Sequence, residues 1–449
     1  MFNTKETEVV VIGAGPVGMM SALVLNRLGI KVLIIDGAER VATRSNATLL
    51  HPSSLELFHN LGLLERIMQT AFKIENIEIH NGHLQNRNLK LSQLKSPFPF
   101  LASLPQTSLE IILERELERE GIPILWNYKA IDCIESDNTI EIEAQHYSEQ
   151  SIGYAVSRME RMIDRSLRIR AKYAIAADGH NSLMRKRIGL DLLQGTPIKY
   201  FLMFDIKSSG SSKNIMRLNF DQGLASAHFP LSNQVNRFMF QFKGMNLPED
   251  YRTKSRDPLQ GFFEPIHLLD EANLRSLFSQ YIPWDACDIE RILWRVAVPF
   301  EQKFATNMTS SRCTLLGDAA RTFEPLSAAS LNLGLQEALE VCTVLSQNID
   351  SRSLNEKLNT LADSFALNWQ IRYQAERYST TNQYTDDWVA SNRNKIISSL
   401  PASGVELEQL AKQLSINIEI PPPAPIHTNR MVDFTSTSTL KGEHQNHVT

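Results

Sequence analysis

The chain is poor in cysteine. Its 449 residues include only four, and no two of them form a C-x-x-C pair: Cys133, Cys287, Cys313 and Cys342. Scattered cysteines argue against a disulfide framework and against a zinc site, and they fit a reducing compartment. We therefore predict no metal and a cytoplasmic location.

Long apolar runs and an excess of positive charge are also missing. No segment reaches about 18 uninterrupted apolar residues, so no membrane span is predicted. The N-terminal MFNTKETE is too polar for a signal peptide. Lysine and arginine number 46 against 50 acidic residues, a net charge of −4, which gives no electrostatic reason to expect nucleic acid. The composition is that of a globular chain, and the length allows two or three domains.

The strongest signal that is present lies near the N-terminus. Val9–Ile12 is an apolar run rich in β-branched residues, typical of a strand buried on both faces. A G-x-G-x-x-G turn and a helical apolar pattern follow, and then Val32–Ile35 repeats the strand pattern and ends at Asp36. This order predicts a site for the ADP moiety of a dinucleotide. The turn residues expected to contact it are Gly13, Gly15, Pro16 and Gly18.

The three glycines have separate expected roles. Gly13 allows the tight turn, Gly15 lets a pyrophosphate approach the backbone, and Gly18 lets the helix pack against the strand. The helix N-terminus offers free N–H groups to the phosphates, and Asp36 is placed to accept hydrogen bonds from ribose hydroxyls. The alternative is an ordinary β-α-β unit in which the glycines serve packing only.

Later segments have a different character. Ile74–Phe100 holds short alternating stretches, and Lys199–Phe242 alternates with a period of two, as an antiparallel sheet does. Tyr147–Arg165 lacks a clear strand pattern and is interpreted as an insertion or a hairpin. The chain becomes loop-rich past Ser399, and Pro421–Pro425 indicates a tail with little independent structure.

Two further motifs lie far from the glycine turn. One is Ala177-Asp178-Gly179, and the other is Gly317-Asp318-Ala319-Ala320, followed by Pro325 and Asn332-Leu333-Gly334. Each alone reads as a turn. The three motifs together, in this order, resemble the group A flavoprotein monooxygenases, the aromatic hydroxylases related to p-hydroxybenzoate hydroxylase.

The resemblance runs from about Val9 to Arg377, and it includes a Q-x-x-L-E pattern at Gln106 and a Y-x-x-E-R pattern at Tyr373. It implies an α/β fold: a Rossmann-like FAD-binding domain interleaved with a mixed β-sheet substrate domain, plus C-terminal helices. The implied boundaries are 1–73, 101–190 and 296–349 for the FAD-binding domain, 74–100 and 191–295 for the substrate domain, 350–400 for the C-terminal helices and 401–449 for a loop-rich tail.

The resemblance also assigns residues to FAD. Asp178 would lie near the pyrophosphate, Asp318 would hold the ribitol chain, and the turn from Pro325 to Asn332 would approach the isoalloxazine. The full set of cofactor-contacting residues that it implies is Gly13, Gly15, Pro16, Gly18, Asp36, Arg44, Gln106, Asp178, Gly317, Asp318, Pro325, Ser330, Leu331 and Asn332.

The implied reaction is a monooxygenation. NAD(P)H, a transient co-substrate without a fingerprint of its own, would reduce FAD. O2 would add at flavin C4a, and the hydroperoxide would hydroxylate or epoxidise an aromatic or polyketide-like small molecule, as in secondary metabolism. The apolar content favours a larger, hydrophobic substrate, and the oligomeric state stays open between monomer and dimer.

Two departures from the family pattern leave alternatives open. The family commonly has histidine where this chain has Arg321, and its turn P-x-G-G-x-G-x-N carries three glycines where this chain has Ser327, Ala328 and Ser330. Glycine there permits positive φ and close approach of the flavin. The alternatives are a flavin oxidase or dehydrogenase on the same fold, or a non-catalytic FAD-binding protein in a biosynthetic complex.

No catalytic base is identified from the sequence. His228, on a predicted strand of the substrate domain, and Arg321 are the candidates, and a hydrogen-bonded structural histidine is the alternative for His228. Arg217 and Arg237 could bind an acidic substrate, but a solvent-facing strand arginine is the default expectation. Four apolar strand residues are expected in the core or in a substrate pocket: Phe201, Met203, Phe238 and Phe240.

Overall fold

The computed structural model describes residues 3–40, 47–152, 158–194, 197–209, 213–242, 268–284 and 288–419. Arg44, assigned above to the cofactor, lies outside these residues. The helices are α1 (Pro16–Arg27), α2 (Pro52–Asn60), α3 (Leu64–Met68), α4 (Gln106–Arg119), α5 (Leu183–Arg187), α6 (Glu271–Tyr281), α7 (Ala329–Asn348), α8 (Leu354–Tyr373), α9 (Ala375–Tyr378), α10 (Asp387–Ser399) and α11 (Gly404–Gln413). The strands are β1 (Asn3–Glu6), β2 (Val9–Ile12), β3 (Val32–Ile35), β4 (Ala47–Leu50), β5 (Phe72–Ile74), β6 (Asn76–Asn81), β7 (Gln85–Lys90), β8 (Leu101–Pro105), β9 (Ile124–Leu125), β10 (Tyr128–Glu135), β11 (Ile140–Ile152), β12 (Arg158–Ala171), β13 (Tyr173–Ala176), β14 (Leu192–Gln194), β15 (Lys199–Ser208), β16 (Ile215–Asp221), β17 (Leu224–Pro230), β18 (Val235–Phe242), β19 (Ile289–Phe300), β20 (Lys303–Ala305), β21 (Cys313–Leu315), β22 (Arg321–Thr322), β23 (Ser379–Thr381) and β24 (Ile416–Ile418).

A parallel five-stranded sheet forms one half of the molecule, in the order β21-β13-β2-β3-β9. Its central strand is buried on both faces, and Val9, Val10 and Val11 are fully inaccessible. This matches the predicted Rossmann-like unit, because a parallel sheet covered by helices on both faces carries continuous apolar strands. Helices α1 and α7 pack against each other beside it.

A mixed seven-stranded sheet forms the other half, in the order β19-β15-β18-β17-β16-β6-β7. Strand β6 pairs in parallel with β16, so the two segments predicted to leave the first domain, 74–100 and 191–295, meet in one sheet. The predicted interleaved α/β architecture is therefore confirmed.

The segment without a clear strand pattern, Tyr147–Arg165, belongs to a long antiparallel ribbon wherever its residues are described, which excludes 153–157. Strands β11 and β12 pair from Ile140 opposite Ala171 to Ile152 opposite Arg158. Strands β1 and β10 extend only part of the ribbon to a four-stranded sheet: β10 pairs with residues 140–146 of β11, and β1 pairs with residues 167–170 of β12. Among the described residues, no further strand pairs with β11 beyond residue 146 or with β12 before residue 167, so this part of the sequence needs no alternation of buried and exposed residues.

The prediction of a loop-rich tail from residue 401 is wrong for its first part. Helix α11 buries Leu407 and Leu410, and β24 pairs with β23. The apolar periodicity of α11 is a weak signal in the sequence, because the helix is short and follows a run of mostly small and polar residues. Residues 420–449 lie outside the described residues. Across the part of the chain that the structure describes, no helix is both long and apolar enough to cross a membrane.

Candidate functional site

A cavity of about 1070 Å³ lies where the two halves of the molecule meet. On one side it is lined by the segments that follow β2, β13 and β21, and on the other by strands of the mixed sheet. The carboxyl ends of parallel strands are where open α/β sheets bind their ligands. The cavity therefore lies where the sequence motifs place the cofactor.

The glycine turn has two glycines that packing requires and one that packing leaves free. A Cβ on Gly13, whose φ is +104°, would lie 2.2 Å from the carbonyl oxygen of Ala177, and a Cβ on Gly18 would lie 2.0 Å from that of Gly13. A Cβ on Gly15 would meet no atom within 4 Å. Gly15 lines the cavity, so the space beside it is available to a ligand.

Helix α1 points its N-terminus at the cavity. It begins at Pro16, which lines the cavity, and neither a side-chain cap nor an acidic residue occupies its first turn. The positive end of the helix is thus left for an anionic ligand. Asp36 fixes the turn by accepting the N–H groups of Ala14 (2.6 Å) and Ala38 (2.7 Å).

Asp178 holds its own loop together. Its Oδ2 accepts the N–H groups of Leu183 (2.8 Å) and Met184 (3.1 Å), while its buried Oδ1 has no hydrogen-bond partner among the described residues. Burial raises the pKa of Asp178. Its neighbours Ala177 and Gly179 line the cavity, so Asp178 shapes the wall from behind.

Asp318 faces the cavity directly. Its side chain is accessible from within the cavity although the residue lies deep in the protein. Burial raises its pKa, against the opposing effects of Arg321, His180 and a hydrogen bond from Ser330. The preceding Gly317 has φ +60°, and a Cβ there would lie 3.2 Å from Val17.

The turn in which serine and alanine replace the family's glycines keeps a left-handed residue. Ala328 has φ +53°, and the Ser330 hydroxyl accepts the Phe323 N–H at 3.0 Å. Pro325, Ala328, Ser330 and Leu331 all line the cavity. The substitutions therefore preserve the expected backbone shape, with strain at Ala328.

Asn332 and Gln106 differ in their placement. Asn332 is fully buried behind the turn, where its Nδ2 donates to the carbonyls of Leu49 and Ala328, both at 2.8 Å. Gln106 is the first residue of α4, lines the cavity, and donates from Nε2 to Glu110 (2.7 Å). Asn332 thus holds the turn, and Gln106 reaches the ligand space.

Neither catalytic candidate lines the cavity. Arg321 is 1% exposed and donates to both carboxylate oxygens of Glu337, at 3.2 and 2.7 Å. His228 packs 4.6 Å from Phe238 between ring centroids, and its Nε2 contacts the Asn236 side chain at 3.0 Å. Burial lowers the pKa of His228 to about 4. The alternation along β17 points the next residue, Phe229, into the cavity instead.

Arg237 lines the cavity, although the sequence predicts by default that it faces solvent. It is 4% exposed and donates from Nε and Nη2 to Asp205 at 2.6 and 2.7 Å, with its guanidinium 4.7 Å from the Trp294 ring centroid. The default expectation of a solvent-facing arginine is wrong, because Asp205 lies directly opposite on β15. A lone aspartate inside the apolar stretch Tyr200–Ile206 was the available signal.

The expected pocket residues also divide by face. Met203 lines the cavity beside Phe229 and Met239. Phe201 packs into the core on the same side, whereas Phe238 and Phe240 belong to a separate core with helix α6. The mixed sheet thus presents one mainly apolar face to the cavity.

A family model described as an FAD binding domain matches residues 6–364. The chain belongs to this FAD-binding family. The resemblance to flavoprotein monooxygenases drawn from the motifs is thereby confirmed at the level of the family, with FAD as the cofactor.

The residues present fit FAD. The open space at Gly15 and the uncapped N-terminus of α1 suit a pyrophosphate. Asp318 offers a carboxyl group to a polyol chain from the cavity wall. Ala328 has a positive φ and lines the same cavity, so these features come together in one cavity.

Relatives and structural neighbours are similar over most of the chain. A 6-methylpretetramide 4-monooxygenase of Streptomyces rimosus is 25% identical over 364 residues, which are 79% of this chain and 58% of the relative. A p-nitrophenol 4-monooxygenase of Pseudomonas putida has a TM-score of 0.69 at 19% identity, covering 92% of this chain and 97% of its own. An anhydrotetracycline hydroxylase of Streptomyces rimosus has a TM-score of 0.60 at 18% identity, covering 91% and 76%. These two structures support the fold alone.

The chain spans 57–60% of the length of the first curated relatives that it matches. The activity of those longer proteins is therefore not carried over to this chain by similarity.

Proposed function

We propose that this chain is an FAD-dependent monooxygenase that uses NAD(P)H and O2 to hydroxylate or epoxidise an aromatic or polyketide-like small molecule. The observation that carries the proposal is that one continuous cavity runs from the glycine turn to the apolar face of the mixed sheet. A cofactor and an apolar substrate can share such a space. Each half of the molecule contributes one wall of the cavity. This arrangement supports the proposal of one domain for the cofactor and one for the substrate.

We propose the following contacts with the cofactor, which the residues lining the cavity support. Gly13, Pro16 and Gly18 shape the turn and helix end that face the pyrophosphate, Gly15 allows its approach, and Asp36 is kept for the ribose. Around the rest of the cofactor we assign Gln106, Gly317, Asp318, Pro325, Ser330 and Leu331 as contacts, Asp178 and Asn332 as supports behind the wall, and Arg44 as a contact from outside the described residues.

When bound, FAD supplies the transfer of two electrons from NAD(P)H and the activation of O2. The overall change consumes substrate, NAD(P)H, one proton and O2, and yields the oxygenated substrate, NAD(P)+ and water. The chain's own part is to exclude water and to orient the substrate. Met203, Phe229 and Met239 offer an apolar surface for that purpose, and the uncapped end of α1 favours an anionic cofactor.

The substrate class is proposed from the lining and from the relatives. The relatives' names include 6-methylpretetramide and rifampicin, both larger than p-nitrophenol. The apolar face that the mixed sheet presents to the cavity favours a polycyclic substrate over a small benzoate. We also propose a cytoplasmic location, where NAD(P)H is supplied. The oligomeric state is left between monomer and dimer.

The proposal is tested by an anaerobic reduction experiment followed by an isotope experiment. FAD-loaded protein is mixed with NADPH or NADH, with and without polycyclic aromatic compounds, and the visible flavin absorption is followed. We expect bleaching that an accepted compound accelerates, and incorporation of one 18O atom from 18O2 into that compound. A flavin that stays oxidised with both donors, or a compound oxidised without incorporated 18O, would overturn the proposal in favour of a non-catalytic protein or an oxidase.

A further inference from the structure

A carboxylate lies in the cavity wall immediately before the turn that faces the cofactor. Glu324 precedes Pro325, its side chain is 7% exposed, and it lines the cavity. Its Oε1 accepts hydrogen bonds from the Lys199 ammonium group and from Gln302 Nε2, the latter at 3.1 Å. Its Oε2 has no hydrogen-bond donor among the described residues. A nearly buried carboxylate oxygen is thus available to a ligand.

The charges around this carboxylate determine what it can accept. Lys199 neutralises Glu324, and Asp205 neutralises Arg237 on the facing sheet. Arg295 also lines the cavity, but it donates from Nη1 to the Leu269 carbonyl, beside the separate core that contains Leu269. An anionic substrate group placed at Oε2 would meet a carboxylate oxygen rather than a hydrogen-bond donor. A neutral hydroxyl group would find an acceptor.

The walls beside Glu324 are apolar. Phe300 lies opposite Lys199 in the sheet, and Phe300 and Val298 line the cavity. Once the rings of a substrate cover these walls, water has little access to Oε2 and cannot readily replace a missing donor. A site built around a buried acceptor rejects an analogue that lacks the donor, because the acceptor is then left unpaired.

We propose that Glu324 is a specificity-determining residue, whose Oε2 accepts a hydrogen bond from a phenolic or enolic hydroxyl of a neutral polycyclic substrate. The inference rests on the proposed function and specifies its substrate class. The Lys199–Glu324 pair holds the acceptor in place, and the apolar sheet face binds the rings. Substrates that carry a carboxylate at that position are repelled, and methyl ethers of the accepted phenol bind weakly.

Matched ligands test the proposal without turnover. FAD-loaded protein is titrated with 2-naphthol, 2-methoxynaphthalene and 2-naphthoate, and with 1-hydroxyanthraquinone and its methyl ether, while tryptophan and flavin fluorescence are recorded. We expect the wild type to bind 2-naphthol at least about tenfold more tightly than its ether. The 1-hydroxyl of 1-hydroxyanthraquinone already donates to the neighbouring ring carbonyl, so this compound and its ether should bind alike and serve as the control pair. It should bind 2-naphthoate more weakly than 2-naphthol.

Three variants assign the preference to this residue. Glu324→Ala should abolish the difference between phenol and ether, and Glu324→Gln, which keeps a neutral acceptor, should retain part of it. Glu301→Gln is the matched control, because Glu301 pairs with Lys303 and does not line the cavity; it should bind as the wild type does. Flavin absorption verifies that each variant is folded and loaded.

The proposal is overturned if no phenol binds to the wild type, if 2-naphthol and its ether bind equally, if 2-naphthoate binds best, or if Glu324→Ala keeps the preference. These binding results need neither NAD(P)H nor O2. A protein that prefers phenols but does not oxygenate them therefore refutes the proposed function while leaving the role of Glu324 intact. A protein that oxygenates its substrate but does not prefer phenols over their ethers refutes the role of Glu324 and leaves the proposed function intact.

Discussion

His51 Nε2 lies 2.8 Å from the carbonyl oxygen of Ser327. A carbonyl only accepts, so Nε2 carries the proton. Burial, together with the charge of Arg372, lowers the pKa of His51 to about 3, so the ring is neutral and Nδ1 is an acceptor. The Ser403 hydroxyl, 3.2 Å from Nδ1, is then the donor. The neutral ring therefore links the C-terminal segment to the turn that lines the cavity.

Replacing His51 with leucine should destabilise the protein by about 1–3 kcal/mol, because the buried Ser327 carbonyl and Ser403 hydroxyl both lose their partner. His51→Gln keeps one donor and should recover part of the loss. Urea unfolding measures the free energy, and FAD titration of the apoprotein measures the effect on the turn. His59→Leu, at an exposed position on α2, the helix that His51 precedes, should change neither. Equal stability of His51→Leu and wild type would contradict the linking role.

Ala328 adopts φ +53° and ψ +25° at the start of α7. A left-handed conformation costs an L-residue roughly 1–2 kcal/mol and costs glycine almost nothing. Ala328→Gly should therefore raise the free energy of unfolding by about 0.5–1 kcal/mol after the entropy of the unfolded chain is counted. Ala329→Gly, one position on and inside the helix, should lower it. A loss of stability in Ala328→Gly would show that the turn is not strained.

The β-α-β unit at Val9–Asp36 could be predicted from the sequence because the residues that determine it are close together in the chain. The strand, glycines and second strand follow one another within 28 residues, and the steric role of each glycine depends on its immediate backbone. The two excursions were also predictable, since a change from continuous to alternating apolar patterns marks a change of sheet type. What locates them in one sheet is the pairing of β6 with β16, which no local pattern contains.

The roles of Arg237 and Asn332 depended on partners far away in sequence. Arg237 is buried only because Asp205, 32 residues earlier, lies opposite it. The Asn332 side chain points away from the cavity because it donates a hydrogen bond to the carbonyl of Leu49, 283 residues away, behind the turn. A motif identifies such residues as special. It does not say whether they contact the ligand or hold the residues that do, because burial is decided by the tertiary fold.

Gly15 and Gly18 should respond differently to alanine. Gly15 has φ −72° and ψ 176°, which alanine adopts freely, and its Cβ would enter open cavity. We expect Gly15→Ala to change stability by less than about 0.5 kcal/mol and to weaken FAD binding. Gly18→Ala places a Cβ against the Gly13 carbonyl and should destabilise the fold by about 1–3 kcal/mol. Unfolding curves and FAD titrations separate the two effects. Unchanged FAD affinity in Gly15→Ala would refute the proposed cofactor position.

Stability should also depend on pH through Glu340. Burial, reinforced by the charge of Glu337, raises the pKa of Glu340 from 4.5 to about 7. Between these values the folded state binds more protons than the unfolded chain does, so the free energy of unfolding falls as pH rises. The contribution of protonated Glu340 is complete below pH 4.5 and is lost above about pH 7.

Glu340→Gln removes this titration and keeps the shape of the side chain. Relative to the variant, the wild type should lose about 2 kcal/mol between pH 5 and pH 8, which urea unfolding at both values measures. Glu406, whose pKa burial also raises to about 7, remains in both proteins and cancels in the difference. Glu356→Gln, at an exposed site on α8, should run parallel to the wild type. The opposite outcome is a difference in free energy of unfolding between wild type and Glu340→Gln that stays constant across this range. It would show that Glu340 ionises in the folded protein as it does in the unfolded chain. Its surroundings near Glu337 would then be more hydrated than its burial implies.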